Sequence, residues 1–425
     1  MKKSVDIVLG LQWGDEGKGK VVDVIAPNYD IIARFQGGPN AGHTIVFNNQ
    51  KYVLHTIPSG IFHENITCVI GNGLVIDLIT LQQEIEKLVS DGIPVQKRLI
   101  ISDKAHLILP THKALDSAYE QAKGTKKIGS TLRGISPTYQ DKIGRNGLRV
   151  GDILLSDFKD RYYAITAYHY KILEQYEHSI EGIEAHHKKF FEAVEFIRQF
   201  DIQDTALYLN QAIQSNKKIL AEGAQGSLLD IDFGSYPYVT SSNTTAAGAC
   251  TGLGIPPSTV NEVYGVFKAY CTRVGSGPFP TELDNEIGER IRVKGNEYGS
   301  TTGRKRRTGW LDIPALNYAI MLSGVTQLIQ TKADVLSDLD EILICVGYLY
   351  QGKQIDYLPY NLQEKIIPQY ITVPGWKQDI SQCRSVDELP TAFTHFIDTI
   401  SRYLTVPIRY VSLGPDRSQF LCLCK

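Results

Sequence analysis

Near the amino terminus the segment Gly10-Leu-Gln-Trp-Gly-Asp-Glu-Gly-Lys-Gly-Lys20 sets lysine and two acidic side chains among four glycines. Glycines let backbone amides point at an anion, and a lysine beside them at the start of a helix adds charge, so the segment suits a triphosphate. It is not a Walker A loop, which requires glycine where Gln12 stands and serine or threonine where Gly19 stands. The hydroxyl that would ordinarily meet magnesium is missing, and Asp15 offers a hard oxygen in its place. A glycine-rich turn with no ligand is the plain alternative.

A second segment, Gln36-Gly-Gly-Pro-Asn-Ala-Gly-His-Thr44, puts an imidazole on a sharply bent loop. Lone histidines are more often structural than catalytic, but this setting presents His43 outward instead of packing it. Thr331-Lys332-Ala333-Asp334 follows an apolar run and is similar to the guanine-reading motif of GTP-binding proteins. An Asp carboxylate accepts from the N1–H and exocyclic amine of guanine, whereas adenine offers an acceptor at N1, so ATP would be rejected by polar mispairing. An ordinary strand-end turn is the competing reading. Ser300-Thr-Thr-Gly-Arg-Lys-Arg-Arg-Thr-Gly-Trp310 packs four cations between hydroxyls and glycines. A solvated face or a nucleic-acid patch would use the same residues. Arginine forks match carboxylate and phosphate oxygens bidentately, and the near-neutral chain favours a compact polyanion.

These residues need a scaffold that brings them together. Short apolar runs precede the loops at 7–9 and 327–330, and a helical pattern follows the first loop at 21–25. That rhythm predicts an α/β fold with a mostly parallel central sheet, whose ligands collect beyond the carboxyl ends of the strands. Further strands are expected at 31–35, 219–221, 263–270 and 408–413, and helices at 78–88 and 111–122. The Tyr/His/Glu-rich stretch 162–200 reads as one longer helical insertion. No repeat, low-complexity segment or long linker divides the chain, so residues 1–425 are expected to form a single catalytic domain.

Composition narrows the ligands. The 425 residues are 43% hydrophobic and 21% charged, enough for a large core. A net charge of -2 gives no general attraction for nucleic acid or an anionic membrane. No run approaches the roughly 20 apolar residues of a membrane span, and residues 1–10 read as a first strand, not a signal peptide. The seven cysteines include no CxxC pair and no zinc-ligand spacing, which predicts reduced thiols in a cytoplasmic protein. Cys422 and Cys424 alternate with leucines as in a terminal strand.

Six segments together resemble the adenylosuccinate synthetase family over essentially the whole chain: residues 12–20, Asn40-Ala-Gly-His-Thr44, Gly129-Ser-Thr-Leu-Arg-Gly-Ile-Ser-Pro137, Glu222-Gly-Ala-Gln-Gly226, the arginine loop and Thr331–Asp334. The resemblance implies a P-loop-like, GTPase-type topology with helical insertions, a cytoplasmic homodimer and one Mg2+ per subunit. It implies GTP-dependent ligation of L-aspartate to IMP through 6-phosphoryl-IMP, giving adenylosuccinate, GDP and phosphate, the first committed step from IMP to AMP.

By the same resemblance Asp15 is the general base, His43 the general acid and Lys18 a catalytic cation on the phosphates. IMP is expected to meet Asp15, Asn40, Ala41, Gly42, His43, Thr131, Gln225, Thr240 and Arg304, with Arg145 reaching over from the other subunit. Aspartate should meet Ser300, Thr301, Thr302, Gly303, Arg304 and Arg306. GTP should meet Gly14, Asp15, Glu16, Gly17, Lys18, Gly42, His43, Thr44, Arg306, Lys332, Asp334, Ser412 and Gly414. Magnesium should meet Asp15 and the Gly42 carbonyl. The chain departs from the family pattern at Ser130, where threonine is common, Ser136, where glycine is common, and Ala333, where leucine is common; Ser136 bears on the backbone freedom of the IMP loop. A regulatory GTP switch would share the phosphate loop and the Lys-x-Asp reader, but it requires no arginine loop and keeps the loop hydroxyl.

Overall fold

The computed structural model describes residues 3–47, 50–299 and 303–423, with the Phe47 side chain excepted. In β1 (Val5–Gly10), Val5, Ile7 and Leu9 enter one hydrophobic cluster and Val8 enters another. A strand apolar on both sides belongs inside a sheet covered on both faces. The same division recurs in β2 (Ile31–Arg34) and β6 (Ile219–Glu222), where Ile31, Ala33, Ile219 and Ala221 face one cluster and Ile32 and Leu220 the other.

With β3 (Thr67–Ile70), β4 (Leu99–Ser102), β5 (Asp201–Gln203), β7 (Val260–Lys268), β8 (Gln327–Thr331), β9 (Ile408–Ser412) and β10 (Phe420–Cys422), these strands form a ten-stranded sheet. Its order is β10-β9-β8-β7-β1-β6-β2-β3-β4-β5, parallel throughout except for β9 with β10. This is the expected α/β architecture, with strand ends displaced by a few residues. A smaller sheet pairs Leu311–Asp312, Lys353–Ile355 and Ile366–Pro374 with Glu341–Tyr350.

Helices α1 (Lys18–Ile25), α2 (Leu78–Ser90), α3 (Pro110–Ala122) and α4 (Ile135–Gly144) precede the insertion. The insertion is helical, as the sequence predicts, and 162–200 holds parts of two helices, α5 (Phe158–Gln175) and α6 (Ile183–Ile197). Gly182 breaks the run with a left-handed φ of 80°, and the second helix folds back so that Phe190 stacks on Tyr162 at 5.0 Å. A long helix would have left those aromatics in water.

Among the described residues six cysteines are free thiols. Leu421 is buried and Cys422 exposed, the alternation expected of a terminal strand. No described helix is long and apolar enough to cross a membrane.

Candidate active site

The loop after β1 is shaped by left-handed backbone at Gly14 (φ 87°), Asp15 (φ 61°) and Gly17 (φ 88°). Gln12 ties it to the end of β7, accepting from Lys268 N at 3.0 Å and donating to Tyr270 O at 3.0 Å. The Glu16 carboxylate turns inward and accepts from Gln12 N (3.0 Å), Gly14 N (2.9 Å) and Lys18 Nζ (2.6 Å). Glu16 therefore offers a nucleotide its amide but not its side chain. Among the described residues no hydrogen bond occupies the amides of Asp15, Glu16, Gly17 and Lys18 at the start of α1, the arrangement that receives phosphate. The structure also accounts for the missing hydroxyl: a Cβ on Gly19 would lie 2.8 Å from His43 Cβ.

His43, expected to point outward from a loop, instead begins the strand His43–Phe47 and is buried, because its ring packs on Glu222 and Ser59. Its Nδ1 lies 2.5 Å from Glu222 Oε1, and Glu222 also accepts from Ser59 Oγ (2.6 Å) and Ser59 N (2.8 Å). Burial, then the charge of wholly buried Arg34, holds the imidazole pKa below its ordinary value. Burial opposes ionisation of Glu222, yet the hydrogen bond from His43, the charge of Arg34 and the hydrogen bond from Ser59 keep its pKa low. The pair is thus a neutral imidazole donating Nδ1–H to a carboxylate, which leaves a buried Nε2 without a hydrogen-bond partner. Glu222 received no role from the sequence; the available signal was an acid at the carboxyl end of a buried strand, just before glycine.

These groups open into one cleft of ≈ 1650 Å³. Asn40, Ala41, Gly42, Thr131, Gln225 and Thr240 line it. Gln225, itself left-handed (φ 57°), donates to Asn40 Oδ1 at 3.2 Å and accepts from Gln36 Nε2 at 2.8 Å. Arg304 Nη1 donates to Gly129 O at 3.0 Å and links the arginine loop to the 129–137 segment. Ser136 lies within α4, its hydroxyl 2.6 Å from Ser241 Oγ, so this departure affects a helix and not the freedom of a loop. Gly303 is exposed, and Ser300, Thr301 and Thr302 lie outside the described residues. Arg145 caps α4 in an exposed, left-handed position (φ 64°) and does not line the cleft of its own chain.

Gly14, Gly17, Lys18, Thr44, Lys332, Asp334, Ser412 and Gly414 also line the cleft. Asp334 Oδ1 is buried without a hydrogen-bond partner, and burial raises the pKa of that carboxyl although Lys332 pulls the other way. Lys20, unassigned from sequence, donates to Ser412 Oγ (2.8 Å) and Gly414 O (2.6 Å), and burial lowers its pKa to about 8. Arg306 bridges two acids: its Nε is 2.7 Å from Asp15 Oδ2 and its Nη1 2.6 Å from Glu297 Oε2.

Asp15 and Gly42 both line the cleft, and a carboxylate with a backbone carbonyl is the hard oxygen donor set that magnesium takes beside phosphates. Among the described residues His112, Asp141 and His169 also bring metal-type ligand atoms together, away from the cleft. They are already satisfied by protons. His112 Nδ1 accepts from Leu109 N at 2.9 Å, so its Nε2 carries the hydrogen shared with Asp141 Oδ2 at 2.8 Å. A metal on Nε2 would require Nδ1–H to face another N–H.

The parallel sheet and the phosphate loop at its carboxyl edge define an α/β nucleotide-using enzyme. A sequence profile described as Adenylosuccinate synthetase matches residues 7–421. Adenylosuccinate synthetases of Christiangramia forsetii and Flavobacterium johnsoniae are 56% and 57% identical over 418 residues, 98% of this chain and 99% of theirs. The structure of fully ligated adenylosuccinate synthetase from Plasmodium falciparum is 42% identical with a TM-score of 0.93, covering 99% of this chain and 100% of that one. Cyanophage S-2L succinoaminodeoxyadenylate synthetase, bound to dGMP and dATP as an energy donor, shares the fold at 20% identity and a TM-score of 0.64, covering 100% of this chain and 97% of that one. The chain belongs to the adenylosuccinate synthetase family and is a ligase.

Proposed function

We propose that this enzyme ligates L-aspartate to IMP at the expense of GTP, forming adenylosuccinate, GDP and phosphate. The observation that carries the reading is a single cleft lined by Asp15, by His43 with buried Glu222 behind it, and by Asp334, whose Oδ1 has no hydrogen-bond partner. The C6 oxygen of IMP is a poor leaving group and must be activated. Asp15 removes the N1 proton, charge develops on O6, and O6 attacks the γ-phosphoryl group of GTP. Protonated His43 would donate from Nε2 to that developing charge, and Lys18 spreads charge over the phosphates. The amine of aspartate then displaces phosphate from C6.

Asp334 reads guanine, while Arg304 and Arg306 take the carboxylates of aspartate. Magnesium, held by Asp15 and the Gly42 carbonyl, would neutralise phosphate charge when bound. The same reading makes the chain one catalytic domain of a cytoplasmic homodimer, in which exposed Arg145 serves the partner's site.

The test is an incubation with magnesium, GTP, IMP and L-aspartate, followed by the ultraviolet change of adenylosuccinate formation, with each component omitted in turn. Product only with all four is expected. GTP hydrolysis indifferent to IMP and aspartate would instead identify a regulatory GTP switch.

A further inference from the structure

Two charged side chains without a role so far lie wholly buried behind Arg306: Lys268 at the end of β7, and Glu297. Glu297 Oε1 accepts from Lys268 Nζ at 2.8 Å and from the Tyr270 hydroxyl at 2.6 Å, and Lys268 Nζ also donates to Thr272 Oγ1 at 2.8 Å. Its other oxygen accepts from Arg306 Nη1 at 2.6 Å. On the Nε side of the guanidinium, Asp15 Oδ2 is close (2.7 Å), but Nε–H does not point at it as a hydrogen bond requires. Charges therefore alternate from the interior to the cleft: Lys268, Glu297, Arg306, Asp15. The hold on Glu297 is well aligned and the hold on Asp15 is not.

The backbone reinforces the first of these. Arg306 N donates to Glu297 O at 3.0 Å, and Gly299 N to Arg304 O at 2.8 Å, closing the neck of the loop between them. A buried ion pair is weak evidence for stability, since desolvation offsets much of its attraction. What it does supply is orientation. An arginine gains its bidentate grip on a carboxylate only when its fork is aligned beforehand, and fixing the side chain lowers the ordering cost of binding.

We propose that Glu297, anchored by Lys268 and Tyr270, is a positioning residue that aims Arg306 at a carboxylate of the amino-acid substrate. The inference rests on the reading that Arg306 meets aspartate. Arg306 leans on Asp15, and the incoming carboxylate replaces that poorly aligned contact while the Glu297 contact persists.

The experiment compares wild type, Glu297→Gln and the double variant Lys268→Met/Glu297→Gln by melting temperature and by separate KM values for aspartate and IMP. Glu297→Gln should raise KM for aspartate about tenfold or more while KM for IMP stays within about twofold. The double variant removes both buried charges and should recover most of the melting temperature, yet keep the raised aspartate KM. Should Glu297→Gln fail to fold, the double variant carries the comparison alone. An unchanged aspartate KM, an equal rise for IMP, or an aspartate KM that recovers together with the melting temperature would overturn the positioning role. Wild-type enzyme that makes no adenylosuccinate would overturn the functional reading and this inference with it, whereas normal wild-type turnover beside unaltered variants overturns this inference alone.

Discussion

His43 shows why its carboxylate partner matters. With Nδ1–H committed to Glu222 and the pKa held down by burial and Arg34, the ring is neutral at neutral pH and its Nε2 can only accept. It becomes a donor after taking a proton, which nearby phosphate charge favours. We therefore expect the His43 pKa, followed by NMR of labelled histidine, to be depressed in the free enzyme and to rise when IMP and a non-hydrolysable GTP analogue bind. A pKa indifferent to those ligands would remove His43 from the acid role. Asp334 makes a different prediction. Its unpartnered oxygen suits a ligand donor, so Asp334→Asn should cut the preference for GTP over ATP by about 10²-fold or more, measured as a ratio of kcat/KM values. An unchanged ratio would place guanine recognition elsewhere. The segments that carry Asp15, Lys18, His43 and Asp334 stand out in the sequence because a glycine-rich or turn-like stretch follows an apolar run, and the roles expected of them come from the family resemblance. Glu222, Glu297, Lys268 and Arg34 were not legible, because charged residues in or beside buried segments show their partners only in the fold: Glu222 meets His43 across 179 positions.

Elements constrain one another as tightly as residues do. The start of α1 and the strand carrying His43 approach so closely that position 19 has no room for a side chain. Gly19→Ser, which would give the loop its missing hydroxyl, should instead displace His43, costing about 1–3 kcal/mol of stability in urea unfolding and lowering kcat as well. A stable, fully active variant would contradict the close approach. A second junction ties α3, α4 and α5 through His112, Asp141 and His169, with His169 Nε2 2.9 Å from Asp141 Oδ2. Burial lowers the His112 pKa to about 4 even though Asp141 raises it. The unfolded chain binds that proton near pH 6.5 and the folded chain does not, so stability is lost as pH falls from about 6.5 towards 4. Urea midpoints should fall over that window in wild type and fall less in His112→Gln; parallel curves would refute the assignment. Sequence periodicity found most elements, but it could not show that α5 and α6 fold back on each other, since their aromatic contacts are tertiary.

For the molecule as a whole, the sharpest prediction concerns the partner subunit. Arg145 is exposed beside Ile143, which is 79% exposed. If Arg145 completes the other subunit's site, mixing inactive Asp15→Asn with inactive Arg145→Leu should restore about a quarter of wild-type activity through random pairing. No recovery would mean that each chain uses its own Arg145. The sheet order carries a consequence of another kind. β1, which leads into the phosphate loop, leaves the ribosome well before both of its sheet neighbours, since it pairs with Ile219 and Val260 through their strands and with nothing nearer in the chain. At about 5–20 residues per second the nascent loop waits tens of seconds for both neighbours, with two apolar strand faces uncovered. A nascent chain that ends before β6 has neither neighbour of β1 to hold the phosphate loop, so chaperone capture during translation should bear on the yield of this enzyme.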